Sequence, residues 1–86
     1  MLKIYGSMLC PDCVECLKDL DRVGVHYEYF DICDHLPYMK EFLKLRDENE
    51  IFHSVKRNGS IGIPCLIDDN GCVTLDWSQY VSQDNA

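Results

Sequence analysis

Long apolar runs are missing from this 86-residue chain. A membrane-spanning helix needs roughly 20 consecutive apolar residues, and no stretch approaches that, so no membrane partner is expected. The N-terminal Met1-Leu2-Lys3-Ile4-Tyr5 lacks the charged n-region and long apolar h-region of a signal peptide, and reads as a cytoplasmic start. Basic residues are scarce, 8 Lys and Arg against 15 Asp and Glu, which gives a net charge of −7. Phosphate backbones repel such a surface, which argues against nucleic acid as a partner. There is no internal repeat, low-complexity segment or linker. Residues 1–86 are therefore expected to form one monomeric domain. A hydrophobic fraction of 47% argues against disorder.

Cysteine, by contrast, is abundant: six in so short a chain. Two classes follow. One is a secreted disulfide scaffold, which is loop-rich. The other is a cytosolic protein whose thiols serve catalysis, metal binding or burial. The long periodic segments of this chain favour the second.

The most informative feature is Cys10-Pro11-Asp12-Cys13, which follows an apolar stretch and opens a helical pattern. A C-x-x-C at a strand-to-helix junction is the arrangement for thiol–disulfide exchange. Proline suits the first helical position, where its missing N–H costs nothing. Cys10 then sits at the positive end of the helix dipole, among free backbone N–H groups, and both favour thiolate over thiol. Cys13, one turn in, can reach back to close a disulfide.

Leu2–Tyr5 reads as a first strand, with Leu2 and Ile4 alternating against Lys3 and Tyr5. Residues 6–9 form the loop that presents Cys10. From Pro11 to Val23, the residues Cys13, Cys16, Leu17, Leu20 and Val23 mark one helical face, and Gly24 is a stop signal. Val25–Ile32 reads as a second strand. Pro37 opens a second helix, with Met39, Phe42 and Leu43 on its buried side, running to about Asp47. Asp47–Asn58 either extends that helix or adds a turn around Ile51, Phe52 and Val55. Ile63-Pro64 leads into a strand over Cys65–Asp68, Asp69-Asn70-Gly71 signals a hairpin turn, and Cys72–Leu75 returns. Asp76 is a candidate N-cap for a last helix over Trp77–Ser82, which Trp77 anchors to the core. The order is β-α-β-α-β-β-α. Its first β-α-β unit implies parallel strands with a right-handed crossover, and its last two strands form an antiparallel hairpin.

This order, with C-P-x-C at the first helix and an apolar-Pro pair before the hairpin, resembles the glutaredoxins of the thioredoxin fold over nearly the whole chain. Cys10-Pro11-Asp12-Cys13 matches the family's active-site motif. Phe30-Asp31-Ile32 resembles the end of its second strand, and Gly62-Ile63-Pro64 matches its Thr-Val-Pro, where the proline is cis. The resemblance implies an α/β thioredoxin-like fold, with a four-stranded mixed sheet flanked by helices. It also implies a thiol–disulfide oxidoreductase that reduces protein or low-molecular-weight disulfides without a tightly bound cofactor. Among its departures, Asp12 stands where tyrosine is usual. Val73-Thr74-Leu75-Asp76-Trp77 lacks the family's Gly-Gly that helps hold glutathione, and the segment before Pro64 is longer. The reductant is therefore either glutathione or a thioredoxin-reductase-type flavoprotein.

In this reading Cys10 is the nucleophile and Cys13 resolves the mixed disulfide. Pro11 and Asp12 support the site. Asp12 places a negative charge beside Cys10, which disfavours the thiolate and leans the couple towards reduction. Ile63, Pro64 and Cys65 present backbone to an extended substrate. A different class of function remains open: Cys10, Cys13 and Cys16 have iron–sulfur or zinc spacing, and Cys65 is a fourth ligand, an extra redox partner or, as favoured, a plain strand residue. Against it, Cys16 lies on an apolar helix face, where free cysteine packs readily. Cys33 and Cys72 fall at strand ends. His26, His35 and His53 show no ligand spacing. Lys56-Arg57 is a candidate partner for a substrate carboxylate, or a solvated pair.

Overall fold

A computed structural model describes residues 1–81. Strand β1 spans Leu2–Gly6, helix α1 Pro11–Arg22, strand β2 Tyr27–Asp31 and helix α2 Leu36–Glu48. A 3-10 turn at Glu50–Phe52 leads into a short helix α3, His53–Arg57. Strands β3, Cys65–Ile67, and β4, Val73–Thr74, precede helix α4, Ser78–Val81. Ser82, the expected end of that last helix, lies outside the described residues.

The sheet order is β2-β1-β3-β4. β1 runs parallel to β2, with Gly6 opposite Asp31, and antiparallel to β3, with Tyr5 opposite Cys65. β3 and β4 form the antiparallel hairpin. The mixed sheet and the parallel first pair are as the sequence order implies.

β1 is an inner strand with a core on each of its faces. Leu2 and Ile4 pack with Cys16 and Leu20 of α1 and with Leu66 of β3. Tyr5 packs on the opposite side with Ile32, Phe42, Phe52 and Cys65. The expected alternation of Leu2 and Ile4 against Lys3 and Tyr5 therefore holds for Lys3 but not for Tyr5, which is buried. A strand covered on both faces carries apolar residues at consecutive positions. Tyr5 keeps its hydroxyl satisfied at the edge of this layer by donating to Glu41 at 2.7 Å.

α1 forms as its apolar spacing predicts, burying Cys13, Cys16 and Leu20. It stops at Gly24, whose φ of +79° is a left-handed conformation that glycine adopts without steric penalty. α2 buries Phe42, whereas Leu43, expected on the buried side, is exposed. One residue further round a helix is a turn of about 100°, which carries Leu43 off the sheet-facing stripe. The ambiguous segment resolves as an interruption. Asn49 turns extended, and its backbone and side-chain N–H groups both donate to the Leu45 carbonyl. The chain then coils again, placing Phe52 edge-on to Phe42 with ring centroids 5.9 Å apart. Of the two alternatives, the extra turn around Ile51 and Phe52 is the one formed.

The strands are shorter than expected at β2, β3 and β4. In the hairpin, the Asp68 carboxylate accepts from the N–H groups of Asn70 and Cys72 at 2.8 and 3.0 Å, which ends the ladder early. α4 starts at Ser78, one residue later than expected, so Asp76 lies just before its N-cap position; its carboxylate still accepts from the first helical N–H, Ser78 N, at 2.9 Å. Trp77 packs against the α1 side of the core and donates its indole N–H to Asp19 at 2.9 Å.

Candidate active site

Two adjacent parallel strands bring the site together. β1 and β2 end side by side, and the loop after each turns up at the same edge. Ile32 N donates to Gly6 O at 2.8 Å, which continues the pairing past the strand ends. The Asp31 carboxylate then joins the two loops. One oxygen accepts from Met8 N at 3.3 Å, and the other from Cys33 N at 2.9 Å. Ser7, buried at the loop's base, accepts the Leu9 N–H on its hydroxyl and the Cys10 N–H on its carbonyl. The Cys10 loop is thus fixed at its base and its middle.

Cys10 is the N-cap residue of α1, extended at φ −96° and ψ 120°, and Pro11 takes the first helical position. No side chain caps this helix end. The unpartnered N–H groups of the first turn therefore face the region of the Cys10 sulfur. Asp12 lies in the same turn, exposed to water. Cys13 is fully buried one turn in, with its sulfur accepting from Ser7 N at 3.5 Å. Burial pushes its thiol up to about 12; the Ser7 N–H opposes this, and its hydrogen bond with Cys10 adds to it. All six cysteines are free thiols, and Cys10 is partly accessible.

Cys10 opens onto a groove of about 540 Å³ whose wall includes Ile32, Cys33, Met39, Arg46 and Ile63. Leu43 and Ile61, both exposed, line it as well. Arg46 closes one side, its guanidinium donating to the carbonyls of Ser60 and Ile61 at 2.7 and 2.8 Å. Pro64 follows a cis peptide bond after Ile63 and is buried. Cys10 and Ile63 therefore line one groove, whereas Pro64, expected to bind substrate, is buried behind Ile63 and is not among the lining residues.

The other cysteines separate. Cys16 is packed among Leu2, Ile4 and Leu20 on the α1 side of the sheet, and burial pushes its thiol up to about 12. Cys65 is buried in the core on the opposite face, and burial again pushes its thiol up to about 12. Cys65 therefore offers a substrate no side chain. The sheet also divides Cys65 from Cys16, so the two cannot ligate one ion with Cys10 and Cys13. Among the described residues, no three His, Cys, Asp or Glu side chains gather in a way that could hold a metal ion. Lys56 and Arg57 do not line the groove; Arg46 is the cation that does. Sequence reasoning missed Arg46 because it sits in an ordinary amphipathic helix, and Cys33 because its neighbour across the loops is 23 residues away. The one sequence signal for Cys33 was its place just past the Phe30-Asp31-Ile32 strand end.

The fold is thioredoxin-like. Over the whole length of both chains it matches a mutant of the thioredoxin-like protein BC3987 with a TM-score of 0.65, at 20% identity. It also matches an epsilon-class glutathione S-transferase from the housefly Musca domestica with a TM-score of 0.57 and 25% identity. That match covers 96% of this chain and 33% of the transferase. No helix among the described residues is long and apolar enough to cross a membrane. No protein-family model matches the sequence. An uncharacterized protein of Haemophilus influenzae is 44% identical over 76 residues, which is 88% of each chain. This chain belongs to the family of that Haemophilus influenzae protein, on a thioredoxin-like fold.

Proposed function

We propose that this chain is a glutaredoxin-like thiol–disulfide oxidoreductase that reduces protein or low-molecular-weight disulfides through the Cys10/Cys13 dithiol. The observation that carries this reading is the pairing of a groove-lining cysteine at a helix N-cap with a second, buried cysteine one turn behind it. The Cys10 thiolate attacks a disulfide sulfur, giving a mixed disulfide and a free substrate thiolate. Cys13 then attacks the Cys10 sulfur and releases the second substrate thiol, leaving a Cys10–Cys13 disulfide. Ile63 lines the groove, where its backbone can pair with an extended substrate.

The electron donor is either glutathione or a thioredoxin-reductase-type flavoprotein. The likeness to a glutathione S-transferase supports the first. The lack of a Gly-Gly pair in residues 73–77 supports the second. Coupled assays that supply the oxidised protein with each donor in turn test the reading. One donor is expected to sustain turnover, and Cys10→Ser is expected to abolish it. Failure with both donors, or full activity in Cys10→Ser, overturns the assignment.

A further inference from the structure

Tyr29 of β2 is partly buried, and its hydroxyl is fully enclosed. Among the described residues, its hydroxyl is the one buried side-chain polar atom without a hydrogen-bond partner. Such atoms are rare in folded proteins, because burying a polar group unpaired costs free energy. The position of this one is informative. A Cβ placed on Gly6 would lie 3.0 Å from the Tyr29 hydroxyl and 2.9 Å from the Cys13 sulfur. The two atoms therefore flank one point, and their separation is at most the sum of those distances. Gly6, having no side chain, leaves the space between them open.

We propose that the Tyr29 hydroxyl is a positioning group for the resolving thiol, donating a hydrogen bond to the Cys13 sulfur when that sulfur becomes the attacking thiolate. This rests on the oxidoreductase reading above. In the resolving step the Cys13 S–H loses its proton, its sulfur bonds to the Cys10 sulfur, and the bond from Cys10 to the substrate sulfur breaks. The departing thiolate takes up one proton, so the step balances with no further reagent. The obstacle is ionising a sulfur that is fully buried. The groups facing Cys13 are Cys10 at the helix N-cap, Cys16 from α1, the Ser7 N–H from the loop, and Tyr29 from β2, which Asp31 of the same strand also faces. Of these, the Ser7 N–H and the Tyr29 O–H can donate to a thiolate. A neutral thiol is a poor acceptor, whereas hydrogen bonds to charged acceptors are markedly stronger. A hydroxyl held beside the sulfur but unpartnered in the dithiol state fits a donor reserved for the charged state. Tyr29 itself keeps its proton, since burial, then the nearby Cys13 and Asp31, raise its ionisation well above the usual tyrosine range.

The test separates attack from resolution. Reduced wild type and Tyr29→Phe are each mixed with one equivalent of 2-hydroxyethyl disulfide, alkylated at intervals, and the Cys10 adduct is followed by mass spectrometry. The adduct is expected to form equally fast in both. In Tyr29→Phe it should decay at least about tenfold more slowly, the loss of one hydrogen bond to a charged group. The pH at which resolution reaches half its maximal rate should also move up. Equal decay rates and equal pH profiles would overturn the proposal. A control uses Cys13→Ser, where there is no thiol to position: adding Tyr29→Phe should leave the adduct's lifetime unchanged, and a change would show that the hydroxyl does not act through Cys13. If no Cys10 adduct forms in any of these proteins, the oxidoreductase reading fails instead.

Discussion

A methyl group on Gly6 would lie 2.9 Å from the Cys13 sulfur, inside van der Waals contact. The end of β1 therefore approaches the first turn of α1 closely, and only glycine fits between Cys13 and the Tyr29 ring. Neither neighbour yields easily. The cysteine side chain is short and helix-mounted, and the tyrosine ring is rigid. Gly6→Ala is expected to destabilise the protein by about 1–3 kcal/mol, the ordinary range for overpacking a dense core. Urea denaturation of the reduced protein measures this. An unchanged midpoint would mean that the strand end shifts freely, and that the site is looser than the structure shows.

The six thiols divide by burial, and this fixes their response to pH. Burial pushes Cys13, Cys16 and Cys65 up to about 12 from an ordinary 9.0. Between those values the unfolded chain has released protons that the folded chain still holds. Unfolding therefore becomes easier as pH rises through that window, and the burial of these thiols costs no stability below about pH 9. Urea midpoints of the reduced protein are expected to hold steady to about pH 9 and then fall. Native alkylation at neutral pH should modify Cys10, Cys33 and Cys72, and denaturant should expose the other three. Rapid native labelling of Cys16 or Cys65 would contradict their burial.

Much of this was legible in the residues, for local reasons. Cys13, Cys16 and Leu20 announce the buried face of α1 by spacing alone, and Gly24 announces its end. The segment around Phe52 could not be resolved from sequence. Its break depends on Asn49 folding back on Leu45 and on Phe52 finding Phe42, and both are tertiary choices. The site was half legible. Cys10 and Cys13 stand together in a local motif, so the chain itself declares them. The groove wall is a different matter, since Cys33, Arg46 and Ile61 meet only once β1 and β2 are paired and α2 is docked. Tyr5 and Tyr29 looked like ordinary strand aromatics. The burial of Tyr5 follows from β1 being covered on both faces, which a five-residue strand does not reveal, and the setting of Tyr29 follows from where β2 lies beside the end of β1.

Trp77 ties the C-terminal segment to α1 through its indole N–H, which donates to Asp19 at 2.9 Å. The acceptor is a carboxylate, so the bond is charge-assisted, though part of it faces water. Trp77→Phe keeps most of the apolar contact and removes the donor. A loss of about 1 kcal/mol in chemical denaturation is expected. The same substitution should leave the alkylation rate of Cys10 unchanged, because the contact lies on the opposite end of α1. A change in Cys10 reactivity would reveal coupling along the helix.

Asp12 is the residue that most distinguishes this dithiol from a tyrosine-containing C-P-x-C site. It lies exposed in the first turn of α1, two residues after Cys10. The expected effect of Asp12 is purely Coulombic, one negative charge in the same first turn as the Cys10 sulfur. Removing it stabilises the reduced protein relative to the disulfide, and the couple becomes a weaker reductant. Water screens the interaction, which limits its size. For Asp12→Tyr we expect the potential to rise by about one tenfold step in the exchange constant, roughly 30 mV for a two-electron couple. A redox titration against glutathione measures it. Asp12→Asn separates charge from ring, since it should reproduce most of the shift without adding an aromatic group. A potential that stays put in both variants, or falls, would show that Asp12 does not tune the dithiol. Any reducing bias would then have to come from the burial of Cys13.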